Sequence, residues 1–211
     1  MSEADLRLLL AELGRSLFAR GYSVGSAGNI SARLPDGYLM TPTNSCLGRL
    51  DPARISKLDA GFAHVAGDKP SKEVFMHRAF YRARGESCGA VVHLHSTHAT
   101  AIACLEDADP KSPIPPLTPY FVMRAGRTVP LVPYYRPGDA AMEPAIEAAA
   151  RDAKAVLLAN HGPVVCGATL TDAVYAAEEL EESARLALML RGQKVRLLTP
   201  AQVDDLLTTF G

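Results

Sequence analysis

The stretch CGAVVHLH, residues 88–95, constrains this chain more than any other. A short, continuous run rich in valine reads as a buried strand. Side chains alternate along a strand, so His93 and His95 point to one side and Leu94 to the other. Two imidazoles placed this way form a bidentate platform for a metal such as zinc. The spacing alone serves equally well for two hydrogen-bonded polar residues at a strand end.

The surrounding pattern places this strand in a layered α/β domain. Helical spacing of apolar residues runs over 4–20, with Gly21 as C-cap. GSAGNISAR (25–33) reads as a turn leading into a short strand, and GYLMTPT (37–43) as a strand ending at Pro42. Residues 52–66 hold short elements interrupted by Pro and Gly. KPSKEVFMHRAFYRAR (69–84) predicts a helix with Ser71 as N-cap. Another helix begins near Thr97. Residues 110–119 are Pro-rich and predicted to be extended or looped. RTVPLVPY, interrupted by Pro, fits only a sheet edge. A helix over 139–152 is followed by AVLLA and PVVCG, two strands flanking NHG. A long helix capped by Thr171 follows, and PAQVDDLLTTF is a last short helix. Strands and helices are interspersed. Several short strand-to-strand steps predict a mixed, mostly antiparallel sheet.

The bulk properties narrow the function classes. At 211 residues the chain is expected to be a single domain over 1–211. A net charge of -1 gives no electrostatic reason to expect nucleic acid or an anionic membrane as partner. No apolar run reaches the roughly 18 residues of a membrane span. The acidic start MSEADLRLLL is unlike a secretory signal. Cys46, Cys88, Cys104 and Cys166 show no CxxC spacing and are expected to be reduced core residues of a cytoplasmic protein.

A third ligand would make the HLH pair a catalytic metal site with an open position. His98 could close it only if the chain turned back at once. His161 in LLANHGPVV is the better candidate: it follows an apolar strand, and packing explains it poorly. A metallo-β-lactamase-like site wants an acid at position 97, where this chain has Thr97. An amidohydrolase HxH belongs on a (β/α)8 barrel of about 250 residues.

Five motifs in order resemble the class II aldolase/adducin family over essentially the whole chain: GSAGNISAR (25–33), TPT (41–43), KPSKE (69–73), HLH (93–95) and NHG (160–162). The resemblance implies a three-layer α/β/α fold on a mostly antiparallel sheet, in a homotetramer with intersubunit active sites. It implies one Zn2+ per subunit on His93, His95 and His161, with Mn2+ or Co2+ possible, and leaves His98 outside. It implies a phosphate site at Ser26, Gly28, Asn29, Thr43 and Ser71. Asn44 and Lys72 stand where the family often has TPTG and PSSE; Lys72 can still contact phosphate or carboxylate by charge. Small side chains, glycine and a helix N-terminus suit an anion. Glu73 corresponds to the family's catalytic acid/base, where its epimerases carry Asp. Tyr120 corresponds to a tyrosine reaching into a neighbouring subunit's site.

Within the family, LTPYFVMRAGRTVPLVPYYRPGD and SCLGRLDPARISKLD resemble the 3-oxo-tetronate 4-phosphate decarboxylases of four-carbon sugar-acid catabolism. The implied substrate is a phosphorylated four-carbon sugar acid, converted to dihydroxyacetone phosphate and CO2 through a metal-stabilised enediolate. A class II aldolase acting on fuculose or rhamnulose phosphate is the alternative, since it uses the same enediolate with an aldehyde as leaving group. An epimerase fits less well because position 73 is Glu, and an adducin-like non-catalytic domain would not need the histidine trio. Arg124, Arg127 and Arg136 are candidates for the substrate carboxylate. His64 and His77 read as ordinary surface or helix residues. The 171–191 helix reads as a charged solvated face over an apolar stripe, with no role for Tyr175 or Glu178.

Overall fold

The computed structural model describes residues 1–210. Its centre is one eight-stranded sheet, with β1 Asn29–Leu34, β2 Gly37–Met40, β3 Ser56–Asp59, β4 His64–Ala66, β5 Ala90–His93, β6 Leu131–Val132, β7 Ala155–Leu158 and β8 Gly162–Gly167. The order is β4-β3-β2-β1-β5-β8-β7-β6. Every pairing is antiparallel except β6 with β7, which is parallel. The predicted mixed, mostly antiparallel sheet is therefore observed. The two-residue β6 takes the edge, as the Pro-interrupted RTVPLVPY required.

Among the described residues, seven α-helices cover the sheet: α1 Glu3–Ala19, α2 Val74–Arg84, α3 Thr97–Ala103, α4 Pro119–Ala125, α5 Glu143–Ala150, α6 Leu170–Met189 and α7 Pro200–Phe210. Strand alternation sorts the core into two layers. Ile30, Ala32, Val92, Leu94 and Val165 face one side, where α1, α3, α4 and α6 lie. Val91, Val156, Val164 and Cys166 face the other, under α2 and α5. This is the expected three-layer α/β/α arrangement. Fully buried Phe80 and Phe121 sit in opposite layers; burying each such ring contributes roughly 1.5–3 kcal/mol.

Local chemistry moved several expected boundaries. The α1 start is a capping box, with Ser2 and Asp5 bonding each other's backbone N–H. The long helix α6 is capped by Thr169, whose hydroxyl accepts from Asp172 N, and Thr171 lies inside it. Ser71 does not cap α2. The chain there is tied to β2's extension through Ser71 N to Thr41 O at 3.2 Å. The Ser71 hydroxyl instead accepts from Glu73 N at 3.3 Å, closing a turn that delays α2 to Val74. The Pro-rich stretch ends in α4: Thr118 caps it and Pro119 occupies its first turn.

The cysteine expectation holds for two of four. Cys88 and Cys166 are buried, Cys46 is half-buried and Cys104 is exposed; all four are free thiols. Nor is α6 only a solvated face. Glu181 is buried and accepts from His98 N and Ala99 N, capping α3, and from His98 Nδ1. Glu178 pairs with Arg20. No helix among the described residues is long and apolar enough to cross a membrane.

Candidate metal centre and active site

Register brings the site together. Asn29 and His93 are direct cross-strand partners on β1 and β5, and both side chains face α2. His95 follows two residues after β5 ends. His161 stands one residue before β8, in the tight turn from β7. Gly162 there has φ +146°, and a Cβ would lie 2.4 Å from Leu94 O, so the close approach of the two chain segments needs glycine.

The three rings form a near-equilateral triangle with centroids 5.0, 4.8 and 4.8 Å apart. His93 Nδ1 lies 2.9 Å from Pro163 O, so it carries the proton and leaves the Nε2 lone pair to bind a metal. His93 Nε2 and His95 Nε2 lie 3.2 Å apart. Two imidazole nitrogens on one tetrahedral zinc, at about 2.0–2.1 Å each, would lie roughly 3.3 Å apart. His161 Nδ1 is buried without a hydrogen-bond partner, so the chain does not fix its tautomer as it fixes that of His93. Burial, above all, lowers the pKa of all three rings; neighbouring imidazoles add to it at His93 and His95. Glu73 opposes the shift at His161 and Lys72 adds to it. Neutral rings with converging lone pairs fit a metal ion, and these three can hold one.

Glu73 is buried beside them. Its Oε2 lies 3.9 Å from His93 Nε2 and its Oε1 3.9 Å from His161 Nε2. Asn29 Nδ2 donates to Glu73 Oε2 at 2.8 Å. In front of the histidines and Glu73 is a cavity of about 600 Å³. Its walls include Ser26, Gly28, Asn29, Thr43, Asn44, Ser71 and Lys72, together with Glu73, His95 and His161. His93 is fully buried behind that lining.

The details differ from the simple anion-cradle picture. The Thr43 and Ser71 amides bond Lys69 O and Thr41 O and so are not free for an anion, and the Ser71 hydroxyl accepts from Glu73 N. Asn29 commits both ends of its amide inside the protein, to Glu73 and to His77. Asn44 has φ +57°, a left-handed conformation that asparagine tolerates next best after glycine. That explains why it can stand where the family often has Gly.

Other candidates lie elsewhere. Tyr120 is 63% exposed on α4 and does not line the cavity of its own chain. Arg124 and Arg127 pair with Asp172 and Asp204. Arg136 is exposed and directly precedes Pro137, which lines the cavity. His98 bonds Glu181 outside the trio. His64 is exposed and bonds Ala66 O and Gly67 O. His77 overturns its reading as an ordinary helix residue: it is fully buried and bonds Ser31 Oγ at 2.7 Å and Asn29 Oδ1 at 2.5 Å.

Residues 9–188 match the Class II Aldolase and Adducin N-terminal domain. The chain belongs to the class II aldolase and adducin family. Within it, the chain is 53% identical over 205 residues to the 3-oxo-tetronate 4-phosphate decarboxylase of Escherichia coli O6:H1, covering 97% of this chain and 96% of the relative. The Haemophilus influenzae protein of that name is 50% identical over 207 residues, covering 98% of each. The L-fuculose phosphate aldolase of Haemophilus influenzae is more distant, at 32% over 213 residues, covering 100% of this chain and 95% of the relative. Among solved class II aldolase folds, YgbL from Escherichia coli superposes with TM-score 0.92 at 51% identity, covering 97% of this chain and 98% of that one.

Proposed function

We propose that this chain decarboxylates 3-oxo-tetronate 4-phosphate to dihydroxyacetone phosphate and CO2. The observation that carries the reading is Glu73, a buried carboxylate 3.9 Å from two of three converging histidines at the end of a polar cavity. The 53% identity to a decarboxylase, against 32% to an aldolase, favours loss of CO2 over loss of an aldehyde.

The substrate is a β-keto acid, so the C1–C2 bond breaks with its electron pair passing toward the C3 carbonyl. A zinc ion on His93, His95 and His161 would supply the Lewis acid that stabilises the charge developing there. Glu73 delivers the proton that C2 needs once CO2 has left. Asn29 occupies Oε2, which leaves Oε1 to hold that proton. The hydroxyls of Ser26, Thr43 and Ser71, the Gly28 turn, Asn44 and the Lys72 ammonium bind the C4 phosphate. Tyr120, exposed and outside its own cavity, completes the site of a neighbouring subunit in a cytoplasmic homotetramer.

The test is direct. Metal-loaded protein is given 3-oxo-tetronate 4-phosphate made in situ by its kinase, and dihydroxyacetone phosphate is read by coupling to glycerol-phosphate dehydrogenase. Product is expected with the parent, about 10²–10⁴-fold more slowly with Glu73→Gln, and not after chelation. No product from the parent, with metal bound and L-fuculose 1-phosphate cleaved, would replace this reading by the aldolase one.

A further inference from the structure

Behind the cavity lies a one-way chain of hydrogen bonds. On α2 and the turn before it, Glu73, His77 and Tyr81 recur every four residues and so share one face. On β1, Asn29, Ser31 and Arg33 recur every two residues and face them. The contacts interlock: Asn29 with Glu73 and His77, Ser31 with His77 and Tyr81, and Arg33 over the Tyr81 ring at 5.0 Å.

Hydrogen-bond chemistry sets the direction along this ladder. The Glu73 carboxylate only accepts, so the Asn29 group facing it at 2.8 Å is the Nδ2 amide. Asn29 Oδ1 therefore faces His77 Nε2 at 2.5 Å, and an amide oxygen cannot donate. The proton between them belongs to His77 Nε2. His77 Nδ1 is then an acceptor, and the Ser31 hydroxyl donates to it across 2.7 Å. The Ser31 oxygen in turn accepts from the Tyr81 hydroxyl at 2.8 Å. Burial lowers the His77 pKa to about 3, so the ring stays neutral and able to accept.

We propose that His77 is a positioning residue: as its Nε2–H tautomer it locks the Asn29 amide, and through Asn29 it aims the Glu73 carboxylate between His93 and His161. The assignment rests on the reading of Glu73 as the group that protonates C2. Without the Nε2–H donor, the Asn29 amide can rotate, and its oxygen would then face the carboxylate oxygen and push it away. A displacement near 1 Å at a reacting group is worth about a hundredfold in rate. A histidine buried only for packing would be indifferent to which nitrogen carries the proton.

Two variants separate these roles. A glutamine amide places N–H near the position of Nε2, whereas an asparagine amide reaches only the position of Nδ1. His77→Gln is expected to keep kcat within about tenfold of the parent, and His77→Asn to lose about a hundredfold with KM changed less than about threefold. Equal kcat losses in the two variants would overturn the proposal. A second readout needs no activity: 15N NMR of the histidine-labelled parent protein is expected to show His77 as a neutral Nε2–H ring. An Nδ1–H ring or an imidazolium there would overturn the proposal even if neither variant folds. Glu73→Gln run alongside isolates the underlying reading. Full activity in that variant would remove the proton-delivery role of Glu73, while the tautomer of His77 would still be reported by the spectrum.

Discussion

The two walls of the cavity are built differently. The deep wall, of His161 and Glu73 with His93 behind them, is buried and stands on the turn before β8, the turn before α2 and β5. Two of its three groups are oriented from behind, His93 by Pro163 O and Glu73 by Asn29, which His77 holds in turn, while His161 Nδ1 has no hydrogen-bond partner among the described residues. The outer wall, of Ser26, Gly28, Thr43, Asn44 and Lys72, is loop, and its side chains are exposed or half-buried. The difference follows the work that the proposed reading gives each wall. Bond breaking at carbon tolerates little misplacement, and here His93 sits on the sheet, His161 and Glu73 sit in turns at element ends, and His93 and Glu73 are hydrogen-bonded from behind. A phosphate is a large, symmetric anion that adaptable hydroxyls and an ammonium can hold from several directions.

The largest effects are therefore expected at the deep wall. His161→Ala should lower kcat at least about a hundredfold, the scale of losing one preorganised electrostatic contact. Metal analysis of the same sample should show less than one ion per chain. A fully loaded, active His161→Ala would remove His161 from the centre and dissolve the contrast between the walls. Glu73→Gln should cost about 10²–10⁴ in kcat, the usual range for general acid–base catalysis, with KM nearly unchanged. A KM effect of similar size would move Glu73 to the binding wall.

The deep wall was only partly legible in the sequence. HLH and NHG show themselves because histidines after apolar strands have no packing reason to be there. The sheet was legible for a related cause: CGAVVHLH, AVLLA and PVVCG are short runs bounded by turn residues. His77 was not legible. In FMHRAFYRAR it is one residue of an amphipathic helix, and only the register of β1 against α2 reveals its partners. The two periods, four along 73/77/81 and two along 29/31/33, are visible in hindsight, but no local rule connects them. Ser71 and Thr171 misled as caps because several hydroxyl residues stand near each helix start, and tertiary ties decide which is used. Helix α4 was obscured by the prolines before it, although Thr118-Pro119 is a sound start signal.

A smaller effect is expected at the outer wall, and of a different kind. Removing the hydroxyl in Ser26→Ala or Thr43→Ala takes away one hydrogen bond to a charged group, worth about 1.5–3 kcal/mol. KM should rise about tenfold or more, with kcat held. Steady-state kinetics on each variant measures the split. A fall in kcat at constant KM would mean the outer wall also aims the reacting carbon, and the division between the walls would fail.

An effect of similar size probes the support behind the deep wall through stability, with metal absent from every sample. His77 has an ordinary pKa of 6.5 when unfolded and about 3 when folded, because burial excludes the charged ring. Between those values the unfolded chain binds one more proton than the folded one, so stability falls as pH falls through this window. Between pH 7 and pH 5 the loss attributable to His77 is about 2 kcal/mol. His77→Gln has no such group. Its urea-unfolding free energy should decline less than the parent's over that range, by about the same 2 kcal/mol. His93, His95 and His161 titrate in both proteins, so their contributions drop out of the difference. A parallel decline would mean that the His77 ring accepts a proton in the folded state, where it could no longer accept from the Ser31 hydroxyl as the neutral Nε2–H ring does.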